Sequence, residues 1–158
     1  MVAMNKLYDK DSLEIMQIAD NSSDMSMNRI QEIRNFALNG KYQRIGIANC
    51  ITFSTETQII KQYLSKNFEV YTVDCKYGRL RKQDLFGGNS QRVLCNPAGQ
   101  AQYLNENNTD LNISIGLCVG HDMIFSEKSA APVTSLFTKD FTNNNNTAQA
   151  VFDISRGL

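Results

Sequence analysis

The sequence has few of the residues that mark many functional classes. It contains no tryptophan, two prolines and a single histidine, and its sixteen basic residues are matched by sixteen acidic ones. The densest basic cluster, KYGRLRK at 76–82, is too short for a nucleic-acid-binding stripe and is typical of a solvated loop. No stretch approaches the roughly 20 apolar residues of a membrane span. We therefore expect neither a nucleic acid nor a membrane as partner.

The N-terminus, MVAMNKLYDKDSLEIM, lacks the basic start and apolar run of a secretory signal, so the predicted location is the cytoplasm. In that reducing compartment the four cysteines of the chain are expected to be free thiols, metal ligands or reactive groups rather than structural disulfides. No CxxC pair is present. The absence of such a pair argues against a small zinc ribbon, but a site assembled from separate strands does not need one.

The length predicts a single α/β domain over residues 1–158. Apolar residues spaced three and four apart predict helices within residues 1–40. Residues 41–139 are expected to form the sheet core. Residues 140–158 contain the run NNNN and are expected to form a flexible or loosely packed tail.

Short apolar runs alternate with helical segments from Arg44 onwards. The runs IGIANC, FEVYTVDC, LNISIGLC and PVTSLFT are typical of strands that are buried on both faces. The order of elements is α-α-β-α-β-loop-α-β-α-β. This order predicts a three-layer α/β fold with an open, mostly parallel sheet of about four strands and N-terminal helices. The order of the strands within the sheet is not determined.

The cysteines stand at the ends of these predicted elements. Cys50 ends the first strand, Cys75 ends the second and Cys118 ends the third, while Cys95 opens the helix that leads to the third strand. Because the carboxyl ends of parallel strands meet at one edge, we expect all four in one crevice. Thiolates select zinc or iron–sulfur clusters, and four complete a tetrahedral set. The leading hypothesis is a metal or iron–sulfur site with no assigned reaction.

The chain's only histidine, His121, follows Cys118 by three residues in GLCVGHD. At the start of a helix it would serve as a substitute ligand, as a proton donor beside a thiolate, or as a cap bonded to a loop carbonyl. Asp122 would cap that helix or orient the imidazole. Asn96 is expected to cap the helix that begins at Pro97. Like His121 and Asp122, it is expected to lie near the metal.

Two other functions fit the same residues. A metal-free thiol enzyme would use Cys118 or Cys95 as its nucleophile and His121 as the base. A small-anion-binding protein would hold its ligand at helix N-termini, with Arg79 or Arg81 closing over it. A small molecule in the crevice is the expected partner, and both catalysis and a homodimer through the N-terminal helices stay open.

Five blocks of the sequence carry a resemblance to a known family: RIQEIRNFA, RIGIANC, DCKYG, CNPAGQAQYLN and TDLNISIGLCVGHDMIFSEKSAAPVTSLFTKD. Together they cover about residues 29–140 and resemble small prokaryotic proteins described as metal-binding, the domain of unknown function numbered 1847. The resemblance places five residues on motif positions, namely Cys50, Cys75, Cys95, Cys118 and His121. Relatives often carry further N-terminal cysteines, which this chain lacks, so the resemblance implies no second metal site here. The tail after Asp140 departs from the family pattern.

Overall fold

The computed structural model describes residues 3–157. The described chain divides into two compact units, with the boundary between Gln43 and Arg44. This boundary lies close to the one predicted between the N-terminal helices and the sheet core. The single domain over residues 1–158 stays a prediction.

The first unit is helical, as its apolar spacing predicts. Its elements are a 3-10 helix (Met4–Leu7), α1 (Lys10–Ser22) and α2 (Arg29–Asn39). The Asn28 side chain accepts hydrogen bonds from the N–H groups of Ile30 and Gln31, and Gln31 accepts one from the Asn28 N–H. This capping box satisfies N–H groups that have no partner within the helix, and so it fixes where α2 begins. The Asn39 side chain donates to the Ser22 hydroxyl at 2.9 Å, which joins α2 to α1.

The second unit is a parallel sheet with helices, in which the predicted elements occur in the predicted order and two further α-helices are present. They are β1 (Arg44–Asn49), a 3-10 helix (Ile51–Phe53), α3 (Ser54–Leu64), β2 (Glu69–Asp74), a 3-10 helix (Tyr77–Arg79), α4 (Lys82–Phe86), α5 (Pro97–Glu106), β3 (Leu111–Ile115), α6 (Val119–Lys128), β4 (Val133–Phe137) and α7 (Thr147–Ser155). All four strands are parallel, in the order β2-β1-β3-β4. The predicted α/β fold with a parallel sheet is confirmed.

The strand order creates a switch point between β1 and β3. The chain moves from β1 to β2 in one direction and then crosses back over β1 to reach β3 and β4. Nearly all such crossovers are right-handed, so α3 lies on one face of the sheet while α5 and α6 lie on the other. The core under α5 and α6 consists of Ala48, Val73, Ala101, Leu104, Leu117 and Phe125. In sheets of this kind the ligand crevice opens at the carboxyl ends of the strands beside the switch point.

A glycine in β1, Gly46, lets α5 pack closely on the sheet. A Cβ at Gly46 would collide with the side chains of Asn112 and Leu104. Asn112 is itself fully buried, and its Oδ1 accepts a hydrogen bond from the Thr109 hydroxyl at 2.8 Å. Glycine is therefore required at this position because the α5 side chain and a buried amide fill the space above it.

A buried glutamine joins α5 to the ends of two strands. The side-chain nitrogen Nε2 of Gln100 donates to the carbonyl of Asn49 at 3.1 Å and to the carbonyl of Val73 at 2.9 Å. Gln100 is fully buried. Because an unpaired buried carbonyl is costly, this side chain stabilises the carboxyl ends of β1 and β2.

The tail contains a helix that the sequence does not predict. Residues Thr147–Ser155 form α7, in which no residue is buried. The NNNN run precedes it and includes two residues with positive φ, Asn144 and Asn145. The predicted loose packing of this segment stays a prediction. Within residues 3–157, no helix combines the length and the apolar character needed to cross a bilayer.

Candidate functional site

The four cysteines lie at the carboxyl edge of the sheet. Cys50 directly follows β1 and Cys75 directly follows β2. Cys118 follows β3 by three residues and is the N-cap of α6, whereas Cys95 stands two residues before α5. Gly116 makes the turn after β3, because its φ is +59° and a side chain there would strike the Phe53 ring. The residues selected by their positions at strand ends are thus placed along one edge.

Cys75 and Cys95 form one pair, with their sulfurs 3.6 Å apart. The Asn96 N–H donates to the Cys75 carbonyl at 2.8 Å, which holds the two segments together. Cys75 is 2% exposed. Burial, followed by the neighbouring Cys95 and Cys50, raises the pKa of Cys75 to about 12, although the Ile51 N–H donates to its sulfur. In the absence of metal, Cys75 is therefore a neutral thiol at neutral pH.

Cys50 and Cys118 contact the same ammonium group. Lys139 Nζ lies 2.8 Å from the Cys50 sulfur and 3.5 Å from the Cys118 sulfur, and the Thr52 hydroxyl donates to Cys50 at 3.1 Å. Burial opposes ionisation of Cys50, but the hydrogen bonds from Lys139 and Thr52 outweigh it and lower the pKa of Cys50. Burial likewise opposes the charge on Lys139, and the contact with Cys50 raises the pKa of the ammonium. The geometry favours a thiolate–ammonium pair at Cys50.

Two lysines complete the cluster, and the sequence reasoning selected neither. Lys139 lies two residues beyond β4, so the rule that located the cysteines at strand ends also applies to it. Lys76 follows Cys75 directly. Its ammonium donates to the Val93 carbonyl at 3.2 Å and to the Cys95 sulfur at 3.5 Å. Each pair of cysteines therefore has one cation beside it.

Asn96 occupies the capping position that the sequence predicts. Its Oδ1 accepts a hydrogen bond from the Gly99 N–H at 2.9 Å, and its Nδ2 donates to the Tyr77 carbonyl at 3.1 Å. Both ends of the side chain are thus bonded to backbone. These bonds fix the start of α5 and, with it, the position of Cys95.

His121 lies in the first turn of α6, which begins at Val119. Burial, and then the charges of Lys139 and Lys76, lower the pKa of His121. In the part of the chain that the structure describes, its imidazole makes no hydrogen bond to a cysteine. Asp122 does not cap α6 through its side chain, and its Oδ1 is buried without a hydrogen-bond partner among the described residues.

A pocket of about 630 Å³ opens beside Cys95. It is lined by Lys76, Leu80, Leu85, Phe86, Arg92, Val93, Leu94, Cys95, Asn96, Pro97, Ala98, His121 and Ile124. The lining residues do not include the two arginines selected for anion binding. Arg79 ends a 3-10 helix with φ +50°, and Arg81 pairs with Val93 in an isolated antiparallel bridge. The pocket arginine is Arg92.

Four thiols at one edge are the donor set that zinc and iron–sulfur clusters take. Two thiolates on one tetrahedral zinc stand about 3.8 Å apart, given zinc–sulfur bonds of about 2.3 Å. The Cys75–Cys95 separation of 3.6 Å is close to this spacing. As the side chains of residues 3–157 stand, no group of three or more His, Cys, Asp or Glu is arranged to hold a metal ion. Binding of a metal by all four thiols would therefore require a rearrangement of these side chains.

Comparison with known proteins relates the chain to one family. The family described as "Protein of unknown function (DUF1847)" matches residues 2–136. The chain belongs to this family. It is similar to "Uncharacterized protein MJ0455" of Methanocaldococcus jannaschii, with 44% identity over 133 residues that cover 81% of this chain and 68% of that protein. No solved structure matches the chain.

The family match confirms the resemblance seen in the sequence and extends it towards the N-terminus. It begins at residue 2 rather than at Arg29, so it includes both N-terminal helices. It ends at residue 136, before Lys139. All four cysteines and His121 lie inside the matched region.

Proposed function

We propose that Cys50, Cys75, Cys95 and Cys118 together bind a zinc ion or an iron–sulfur cluster. The observation that carries the proposal is the convergence of four thiols from four separate segments at the carboxyl edge of the sheet. The Cys75–Cys95 distance of 3.6 Å supports it, because two ligands of one metal need about that spacing. Lys76 and Lys139 support it as well, since nearby cations offset the charge of several thiolates. In a reducing cytoplasm these thiols would stay available to a metal.

The number of ligating cysteines decides what such a site would do. Four thiolates give a closed structural site, whereas three leave one coordination position open, as in catalytic metal sites. Cys118 is the exposed member of the set. It is therefore the ligand that a three-cysteine site would lack, with His121 as its substitute or as a neighbour of the bound group. A bound metal would supply Lewis-acid or redox chemistry at this open position.

Metal content tests the proposal directly. The protein is purified without oxygen, its visible absorption is recorded, and zinc and iron are measured by mass spectrometry. Brown protein with several irons per chain indicates a cluster, and colourless protein with one zinc indicates a tetrahedral site. Folded protein that contains neither metal and takes up neither on reconstitution would contradict the proposal.

Single substitutions identify the ligands. Each Cys→Ser variant is expected to lose metal and thermal stability together, because binding energy at such a site is also folding energy. Met123→Ser is the matched control, since it removes an exposed sulfur side chain on α6 that the proposal does not use. If Cys118→Ser keeps its metal while His121→Gln loses it, His121 is the fourth ligand. Full metal content in all four cysteine variants would rule out the cysteine site.

A second candidate is thiol chemistry without metal, and the contact between Cys50 and Lys139 favours it. The ammonium lies 2.8 Å from this sulfur and stabilises the thiolate. The sequence-based version used Cys118 or Cys95 with His121 as base, but the described residues contain no hydrogen bond between these groups. Under this function only Cys50 among the cysteines would matter for reactivity.

A further inference from the structure

The pocket beside Cys95 has the size of a small-molecule site. Its volume of about 630 Å³ lies within the range of roughly 300–1,000 Å³ that such sites occupy. One wall is the segment between β2 and α5, and the other is α6, which contributes His121 and Ile124. The start of α5 closes one side through Asn96, Pro97 and Ala98. These elements all belong to the second unit, so the pocket is built within one compact unit.

The charged side chains that line this pocket are basic. Its lining includes Lys76 and Arg92 but no aspartate or glutamate. Lys76 already donates to the Val93 carbonyl and the Cys95 sulfur. The Arg92 guanidinium has no hydrogen bond or ion pair with any residue in the described range 3–157, so its donors are available to a ligand. The N-terminus of α5 faces the same pocket, and the dipole of this ten-residue helix also favours an anion there.

The rest of the lining is largely apolar and partly open to solvent. Leu85 is 56% exposed and Phe86 is 70% exposed, while Leu80 and Val93 are half-buried. Ile124 on α6 faces the same space and is 40% exposed. Large apolar side chains grouped at a pocket mouth leave a hydrophobic area that an apolar ligand would cover.

We propose that this pocket binds a small molecule with one carboxylate and an apolar body. The carboxylate lies against Arg92 and the start of α5, and the apolar body covers Leu85, Phe86 and Ile124. An arginine is suited to this role because its planar guanidinium binds a carboxylate through two parallel hydrogen bonds. The bound molecule then lies beside Cys95 and next to the proposed metal site. Recognition of the ligand uses no cysteine, so it does not depend on metal binding.

Octanoate is a suitable probe, and His121 provides the signal. Because His121 is the chain's only histidine and lines the pocket, its imidazole gives one assignable set of proton NMR signals. Titration of the purified protein with octanoate is expected to shift these signals in a saturable way. Acetate lacks the apolar body and octylammonium carries the opposite charge, so neither should produce the same shift in that concentration range.

Two pairs of variants complete the test. Arg92→Gln should weaken octanoate binding about tenfold, since a hydrogen-bonded ion pair is lost, whereas Arg79→Gln, at an exposed arginine outside the pocket, should not. Ile124→Ala should weaken octanoate binding severalfold, and Met123→Ala, next to it on α6, should leave it unchanged. Absence of a saturable shift, equal binding of octylammonium, or an unchanged affinity in Arg92→Gln would each overturn the proposal. All four cysteines are kept throughout, so failure here leaves the metal proposal standing.

Discussion

Lys139 stabilises the thiolate form of Cys50. Its ammonium contacts Cys50 at 2.8 Å and Cys118 at 3.5 Å, and after burial it is the next cause of the lowered pKa of His121. A buried sulfur without such a partner would stay protonated, as Cys75 does. Lys139, two residues after β4, thus gives two buried cysteines different pKa values: that of Cys50 is lowered, whereas that of Cys75 is raised.

Replacing Lys139 with glutamine should remove this difference. In metal-free protein, Cys50 is expected to react with iodoacetamide with an apparent pKa below the ordinary thiol value of 9.0. In Lys139→Gln the apparent pKa should rise, because burial then acts without the opposing ammonium. Peptide mapping of alkylated Cys50 across a pH series measures it. Lys76→Gln is the control, since Lys76 contacts Cys95 instead. An unchanged pKa in Lys139→Gln would show that the ion pair does not form.

At the scale of elements, α5 controls the position of the site. Gln100 on this helix bonds to the last residue of β1 and to Val73 in β2. The next residues after these strands are Cys50 and Cys75. The Asn96 cap at the start of α5 sets Cys95. A single helix therefore holds three of the four thiols in register.

The variant Gln100→Leu should destabilise the protein by about 1–3 kcal/mol, because two buried carbonyls lose a hydrogen bond. The loss of stability is limited because the Gln100 side-chain oxygen Oε1 accepts no hydrogen bond from the described residues, so the substitution breaks no bond at that atom. Gln102→Leu on the same helix is the matched control, since the Gln102 side chain is exposed and donates to Glu106 on the surface of the helix. Urea unfolding measures both free energies. Equal unfolding free energies in the two variants would contradict the assigned role of Gln100.

The sequence predicts the elements better than it predicts how they meet. Caps such as Asn28 and Asn96 follow from residue type and local spacing, because the relevant hydrogen bonds span three residues or fewer. Placing the cysteines at one edge needs only the rule for parallel strands. Which cysteines pair could not be predicted, since pairing depends on the strand order β2-β1-β3-β4, and no local pattern encodes this order.

Long side chains and irregular segments were the other source of missed residues. The contact between Lys139 and Cys50 joins residues that are 89 positions apart in the sequence. Arg92 lines the pocket because of the path of the irregular segment between β2 and α5, which the sequence does not predict. The helix α7 follows an asparagine run that favours turns, so the polar composition obscured it. In each case the deciding contact is nonlocal or the local composition points to another structure.

At the scale of the whole molecule, the stability of metal-free protein should be highest between pH 6.5 and 9.0. Below 6.5 the unfolded chain takes up a proton at His121 that the folded chain resists, because burial lowers that pKa, so stability falls with acid. The depressed pKa of Cys50 adds stability as pH rises towards 9.0. Above 9.0 the unfolded chain loses a Cys75 proton that the folded chain keeps until about pH 12, so stability falls again.

Thermal melts of metal-free, reduced protein across this range measure the profile. Cys75→Ser should flatten the alkaline side, and His121→Gln should flatten the acidic side. A maximum below pH 6.5, or an alkaline decline that persists unchanged in Cys75→Ser, would contradict these assignments.

One wall of the proposed carboxylate pocket is the segment between β2 and α5. The segment between β2 and α5 closes on itself through the Arg81–Val93 bridge and backbone hydrogen bonds such as those from Lys82 to Arg92 and from Leu94 to Leu80. Backbone bonds of this kind accept almost any side chain. Substitutions at Leu85, Phe86 and Arg92 are therefore expected to change which ligand the proposed pocket prefers without disturbing the positions of the cysteines.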